Sequence, residues 1–485
     1  MVRLNRSDIV IRPDVRRVVA RLFIPGFAGT LDALGGARVD PIVQRTMELS
    51  EAEIHQQLAD SRRLFAGRHR DLERLWEANF LQALPHSPRM KDAGPELRAL
   101  LGAIFTQEYA FEASAVCNPS IVPYPVEQQG DSLRFVMSAR AIGEGHISSI
   151  EFRTGSVNSA GTIQLDDVDL TVEVGARTSV TYRKGAFLNK LEELGADPAI
   201  ALDICDALPS RFTFDDLAAV LPNIDSPTAY PAVAFETIRL IHWLASSNYR
   251  LEFEDGRIGD RLIFPAGPAD SHGMEDARFV ALVEDDGSTS YYATYTAYDG
   301  FQILPQLIQT PDFRHFDITT MSGDSARNKG IALFPTKFDG SYAALSRLDR
   351  EKLYLTFSDD VRSWETSQLI YEPTASWEMV QIGNCGSPLE TSEGWLVLTH
   401  GVGPMRRYCI GAILLDRKDP SQVLGRLRDP LIEPEEAFRD GYVPNVVYSC
   451  GGLIHSGNLI LPYGLSDHSI TFGVAPVVDL LEAMA

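Results

Sequence analysis

The run Gly273-Met274-Glu275-Asp276-Ala277-Arg278-Phe279 sets two carboxylates and a guanidinium side by side at the start of an apolar stretch. Such a cluster suits acid chemistry on a polar substrate. In an extended strand neighbouring side chains point to opposite faces, so Glu275 and Asp276 are not expected to share a site. One of the two is then the reacting acid, and the other anchors backbone or holds Arg278.

The elements that must position these groups read as sheet. From about residue 109 to the end, short β-rich runs are punctuated by Gly, Asp-Gly and Pro turns. Five openings recur: Asn118-Pro119-Ser120-Ile121-Val122, Glu275 to Phe279, Gly330-Ile331-Ala332-Leu333-Phe334, Gly386-Ser387-Pro388-Leu389-Glu390 and Pro444-Asn445-Val446-Val447-Tyr448. Each is followed by a turn and then an aromatic-rich strand, such as Ser290-Tyr291-Tyr292-Ala293-Thr294-Tyr295 or Gly394-Trp395-Leu396-Val397-Leu398. The last four openings are spaced by 55, 56 and 58 residues, close to the roughly 40 to 50 residues of a four-stranded propeller blade. The expected fold is mainly β: a five-bladed β-propeller over 109–485, with a helical insertion at about 184–247. Residues 1–108 form an N-terminal helical region, where Ser50 and Glu53 spell a capping box.

In a propeller the first strand of each blade lines the central channel, so polar groups distant in sequence converge there. The candidates are Asn118, Arg140, Asp276, Arg278, Arg327, Asn328, Lys329, Arg347, His400, Asn445 and Asp467. Each has a structural counterpart reading: Asp276 and Arg278 as an ion pair inside a blade, His400 as a satisfied core histidine, Arg347 as a loop residue among Asp349 and Arg350, Lys329 as solvated. Tyr295 and Tyr298 could stack on a sugar, although aromatic residues in such strands usually pack between blades.

A net charge of -22 argues against nucleic acid as partner, since phosphate backbones call for a basic surface. It leaves room for a small anion in a locally basic pocket. Five scattered cysteines without a C-x-x-C pair fit a reducing, cytoplasmic setting. No leader-like or membrane-spanning apolar run occurs, so no membrane partner is expected. His146, His272 and His468 lack ligand spacing and no zinc pattern occurs; no metal is expected. A Walker loop, dinucleotide fingerprint and nucleophile elbow are missing as well.

Taken in order, Asn118-Pro119-Ser120, Arg140 with Gly143-Glu144-Gly145, the 273–278 cluster, Asn328-Lys329 with Leu333-Phe334-Pro335, Gly394-Trp395-Leu396 with His400-Gly401-Val402, and Tyr463-Gly464 with Asp467 resemble glycoside hydrolase family 130. The resemblance implies a five-bladed propeller enzyme acting on β-mannosides, by phosphorolysis in many members and hydrolysis in some. It assigns Asp276 as the acid, with inorganic phosphate as nucleophile and co-substrate and no other cofactor. Arg327, Asn328, Arg347 and His400 match the phosphate-binding set, and Asn118, Arg140 and Asp467 match residues that grip the non-reducing mannose. The family lysine expected before Ile382-Gly383 is Gln381 here, a departure for which Lys329 is a candidate substitute. The N-terminal helices are a candidate for contacts between copies of the chain.

Three readings follow. One is a phosphorylase producing α-mannose 1-phosphate. The second is a hydrolase using water and a base such as Glu275, Glu144 or Glu390. The third is a carbohydrate-binding propeller without turnover.

Overall fold

Runs rich in aromatic and β-branched residues form strands because such side chains pack well on a pleated surface. The computed structural model, which describes residues 4–25, 36–125, 130–221 and 231–484, is mainly β. The chain divides into two units. One comprises Met1–Pro13, Ser114–Val168 and Val174–Ala485; the other comprises Asp14–Ala113 with Asp169–Glu173.

The larger unit consists of successive antiparallel strand groups. Ala115–Pro123, Leu133–Ile142 and Ser148–Val157 form the first, and Gly273–Val283, Thr289–Tyr298, Ile303–Thr310 and His315–Thr320 the second. These two share one sheet through a parallel contact of Gly273 with Ser148. Ala332–Leu333, Tyr342–Ser346, Leu353–Ser358 and Ser367–Tyr371 make a separate four-stranded sheet. Another sheet is built on Trp395–Gly403 and Arg407–Leu415. In the last, Asn458–Leu465 and Ser469–Pro476 pair as a hairpin, and the N-terminal strand Asn5–Ile11 joins its outer edge. Residues 5–11, expected within the N-terminal helical region, are thus an edge strand of this sheet, one whose partial exposure leaves little apolar alternation in the sequence.

The sequence openings all lie in this framework, yet several inner strands are interrupted. Gln381–Asn384 and Leu389–Glu390 both pair with Trp395–Gly403, separated at Gly386-Ser387-Pro388, where proline lacks the N–H a ladder needs. Likewise Val447–Tyr448 and Leu453–His455 both pair with Asn458–Leu465. These interruptions matter below, since they free side chains from strict alternation.

The insertion carries Lys184–Glu193, Pro198–Asp206, Phe214–Val220 and Pro231–Ser247 as helices; its residues 222–230 lie outside the described set. It has a core of its own around Phe187, Leu191, Ile204, Phe212, Leu217 and Ile241. Trp243 and Leu194 also pack on the sheet core beside Tyr249 and Leu251, so the insertion covers an edge of the sheet.

In the smaller unit Val18–Leu22 pairs with Thr106–Ala110. Helices Gly36–Met47, Glu51–Phe65, Leu72–Ala83 and Pro95–Ile104 bury Val43, Leu58, Trp76, Phe80 and Leu101. The capping box forms: Ser50 Oγ accepts from the Glu53 N–H, and a Glu53 carboxylate oxygen accepts from the Ser50 N–H at 2.8 Å. Arg17 and Glu112 make a fully buried ion pair in the same unit. All five cysteines are buried and unpaired. Among the described residues no helix is long and apolar enough to cross a membrane.

Gly102 permits a close approach of Pro95–Ile104 to Leu72–Ala83, because a Cβ there would overlap the Trp76 carbonyl. Gly102→Ala should gain about 1 kcal/mol of helix propensity but lose more to a backbone clash that no rotamer relieves. The expected net is a destabilisation of about 1–3 kcal/mol, read as a lower urea midpoint with the slope unchanged.

Candidate active site

Two bulges bring the acidic cluster into a cavity. The register between Ala115–Pro123 and Leu133–Ile142 shifts between Cys117 and Ser120, and that between Gly273–Val283 and Thr289–Tyr298 shifts between Glu275 and Arg278. At these points Asn118 and Asp276 adopt left-handed backbone, with φ of 51° and 55°. Asn and Asp tolerate that region better than other side chains, although it still costs energy. Ser120 ties the two bulged strands together by accepting the Phe279 N–H at 3.0 Å.

The bulge corrects the expectation that Glu275 and Asp276 face apart. An extra residue in one strand resets the alternation, and both carboxylates line the same cavity of about 760 Å³. Glu275 accepts from Arg140 Nη2 at 2.8 Å and has Lys329 Nζ at 3.9 Å. Asp276 accepts from Asn118 Nδ2 at 2.6 Å, with Arg140 Nη1 at 3.6 Å. Arg278 does not pair directly with the Asp276 carboxylate. It donates to the Asp276 backbone carbonyl at 2.8 Å and to the Tyr448 phenol at 2.9 Å.

Six cationic side chains line the cavity against three carboxylates, and the cations are Arg140, Arg278, Lys329, Arg347, Arg350 and Arg406. This local excess sits on a chain of net charge -22, so the pocket has the opposite character to the protein as a whole. Burial pushes the Asp276 carboxyl up, but the charges of Arg140, Arg278 and Lys329 and the Asn118 hydrogen bond outweigh it and hold it below the usual range. Asp467, in the turn before Ser469–Pro476, behaves oppositely: burial, reinforced by the negative charge of Asp276, pushes it up to about 6. Its Oδ1 is buried without a hydrogen bond. His400 is fully buried, and burial followed by the charges of Arg347 and Arg278 keeps it neutral, opposed by the Asn384 backbone. Arg347 donates to the Arg350 carbonyl at 2.7 Å, and its Nε is buried without a partner.

Of the residues singled out in the sequence, Asn118, Arg140, Asp276, Lys329, Arg347, His400 and Asp467 line this cavity together with Gln381. Arg327 does not. Its side chain is 63% exposed and pairs with Asp324 at 2.5 Å, because the short helical turn Asp324–Ala326 directs it outward. Asn328 donates to the Leu348 carbonyl and accepts from Arg350 Nε at 3.0 Å. It therefore faces the cavity wall through Arg350. Glu390 pairs with Arg417 away from the cavity and Glu144 is exposed outside it. Tyr295 is buried toward Asp270, and Tyr298 donates to the Gly300 carbonyl at 2.8 Å, so neither offers a sugar platform. No described residue of the insertion lines the cavity.

Sequence reasoning missed Tyr408, Tyr448, Arg406 and the rim residues Phe301 and Tyr442. Phe301 is 92% exposed at the tip of a tight turn in which Asp299 accepts the Phe301 and Gln302 N–H groups. The Asp-Gly-Phe turn signal was legible; its nearness to the cavity was not. Among the described residues no cluster of three or more His, Cys, Asp or Glu is arranged to hold a metal ion. A partly ionised carboxyl set facing fixed guanidinium groups suits proton transfer beside a bound anion.

The sequence profile of the family described as beta-1,4-mannooligosaccharide phosphorylase matches residues 257–485. The chain is 33% identical over 220 residues to the 1,2-beta-oligomannan phosphorylase of Thermoanaerobacter sp. (strain X514), covering 43% of this chain and 70% of that protein. It is 30% identical over 232 residues to the beta-1,2-mannobiose phosphorylase of Listeria innocua, covering 46% of this chain and 63% of that protein. A solved Listeria innocua beta-1,2-mannobiose phosphorylase aligns with a TM-score of 0.43 at 19% identity, over 77% of this chain and 92% of that one.

Two outcomes follow from the geometry. A Cβ on Gly383 would lie 2.6 Å from Arg347 Nε and 2.8 Å from His400 Cε1, so Gly383→Ala should push both side chains aside and cut kcat/KM at least about tenfold with little change in melting temperature. Asp467 binds its proton near pH 6 when folded and near the ordinary 3.8 when unfolded. Its contribution to stability is therefore fullest below about pH 4 and is lost as pH rises through 6. Asp467→Asn should stabilise the protein above pH 6 by up to about 3 kcal/mol, a gain that fades toward pH 4; melting curves across that range check it.

Proposed function

The chain belongs to glycoside hydrolase family 130, and on that premise we propose that it cleaves β-mannosidic bonds by phosphorolysis, releasing α-mannose 1-phosphate and a shortened acceptor. The observation that carries this reading is the excess of cationic over carboxylate side chains lining, with Asp276, a cavity large enough for a disaccharide, where Arg278 and Arg347 are buried and hydrogen-bonded to carbonyls and a phenol. Buried cations without carboxylate partners call for a bound anion. Arginine's planar fork suits phosphate.

In this reading a phosphate oxygen attacks the anomeric carbon, the glycosidic bond breaks, and its electron pair stays on the leaving oxygen, which takes up a proton. Hydrogen phosphate carries in the one hydrogen that the leaving alcohol carries out. Asp276 passes the proton, directly or through a sugar hydroxyl, and ends the cycle as it began. In the empty site its neighbours favour the carboxylate. Phosphate offsets those positive charges, which raises the affinity of Asp276 for a proton when substrate is in place. Asn118, Arg140 and Asp467 orient the mannose. Arg347, His400 and Lys329 hold the phosphate, with Asn328 acting through Arg350. Arg327 has no part, given its outward ion pair.

The finer fold follows from the same premise. Five antiparallel strand groups in chain order, the last completed by Asn5–Ile11, read as five blades of a propeller.

The hydrolytic reading keeps one specific support. Gln381 lies at the cavity where the family resemblance places a lysine, and Glu275 or Asp467 could then activate water. Incubation with β-1,2- and β-1,4-mannobiose separates the two. Mannose 1-phosphate formed only with inorganic phosphate is the expected product, whereas free mannose at equal rate without phosphate would overturn phosphorolysis. Asp276→Asn should lower kcat by at least about a thousandfold while circular dichroism and melting temperature stay near wild type. Gln381→Lys should lower the KM for phosphate several-fold, by adding a cation to the same wall.

A further inference from the structure

Tyr448 ends the short strand Val447–Tyr448 and is 7% exposed, with its ring on the cavity wall. Its phenolic oxygen accepts from Arg278 Nη2 at 2.9 Å. Among the described residues nothing accepts its phenolic hydrogen. The ring lies 4.8 Å from that of His400, tilted by 54°. Around it are Arg347, whose Nε is buried without a partner, and the His400 ring, whose two nitrogens lack well-formed hydrogen bonds.

A buried hydroxyl normally finds both a donor and an acceptor. Tyr448 has its donor in a guanidinium, and accepting from a cation makes its own O–H a stronger donor. Burial pushes the phenol well above its usual range, so it remains protonated. The unclaimed hydrogen, the free Arg347 Nε and the His400 edge form a wall of donors with no protein carboxylate among them. Gln381, on the same cavity, supplies an amide where a full charge would otherwise stand.

We propose that Tyr448 is a binding residue for the inorganic phosphate nucleophile, donating its phenolic hydrogen to a phosphate oxygen while Arg278 fixes the phenol from behind. This rests on the phosphorolytic reading. The Asp276 main-chain carbonyl and the phenol are then the two ends of one Arg278 fork, so the acid and the anion are held by a single side chain.

The test is Tyr448→Phe, which keeps the ring and removes the hydrogen bond. A lost hydrogen bond to a charged group corresponds to roughly a 10- to 100-fold effect. We expect the KM for phosphate, and the dissociation constant for inorganic phosphate titrated calorimetrically without sugar, to rise by that factor, with the KM for mannobiose unchanged. Unchanged phosphate constants, or a mannobiose KM that rises in step, would overturn the proposal. Should the variant fold poorly, 3-fluorotyrosine at position 448 in the otherwise intact enzyme must show a fluorine resonance that moves on adding phosphate; a stationary resonance in phosphate-binding enzyme overturns it equally. Wild-type enzyme that neither binds nor requires phosphate would instead defeat the phosphorolytic reading itself, and this proposal with it.

Discussion

Keeping the Asp276 carboxylate ionised inside the protein is the constraint around which the rest of the site is arranged. An isolated buried charge would neutralise itself or unfold its surroundings. Here Asn118 donates to the carboxylate, Arg140 stands beside it, and Arg278 grips the backbone of the same residue. These partners come from three different strands, so the site cannot form before those strands have paired. The left-handed backbone at Asn118 and Asp276 stores strain that the surrounding ladders hold in place.

Electrostatics give the cavity a dual character. The carboxylates are unequally satisfied: Glu275 and Asp276 share Arg140, with Lys329 near the first and Asn118 donating to the second, while Asp467 is left poorly satisfied. The buried guanidinium groups of the cavity bond instead to carbonyls and a phenol, as Arg347 does to the Arg350 carbonyl and Arg278 to the Asp276 carbonyl and Tyr448. A carbonyl satisfies geometry without cancelling charge. The positive potential therefore survives inside an acidic protein, confined to where a low-dielectric wall concentrates it.

Much of this was legible in the sequence, for identifiable reasons. Strands such as Thr289–Tyr298 and Asn458–Leu465 announce themselves by aromatic and β-branched runs between turn residues, and Ser50 with Glu53 spells its own cap. Polar residues at strand openings pointed to the cavity because few other reasons place Asn118 or Asp276 there. What stayed hidden depends on geometry that periodicity does not encode. The bulge that turns Glu275 and Asp276 to one side costs a single residue of register, and the sequence reads identically with or without it. Arg327 resembles its neighbours until the helical turn at Asp324–Ala326 sends it outward. Tyr448 reads as one more packing aromatic, since its hydrogen bond to Arg278 spans 170 residues.

The edge strand Asn5–Ile11 has a bearing on how the chain reaches this state. Thr471 Oγ1 donates to the Ser7 carbonyl across 464 residues, and the paired strand contains Phe472, buried against Ile9 and Ile11. During synthesis the first strand leaves the ribosome long before its partner exists, so it waits as an unpaired edge while the intervening sheets assemble. Loop-closure entropy grows only slowly with length, but contacts this distant form late and slowly. The last sheet is thus completed only after Ser469–Pro476 has been made, and the hairpin whose turn carries Asp467 gains its outer neighbour at that late step.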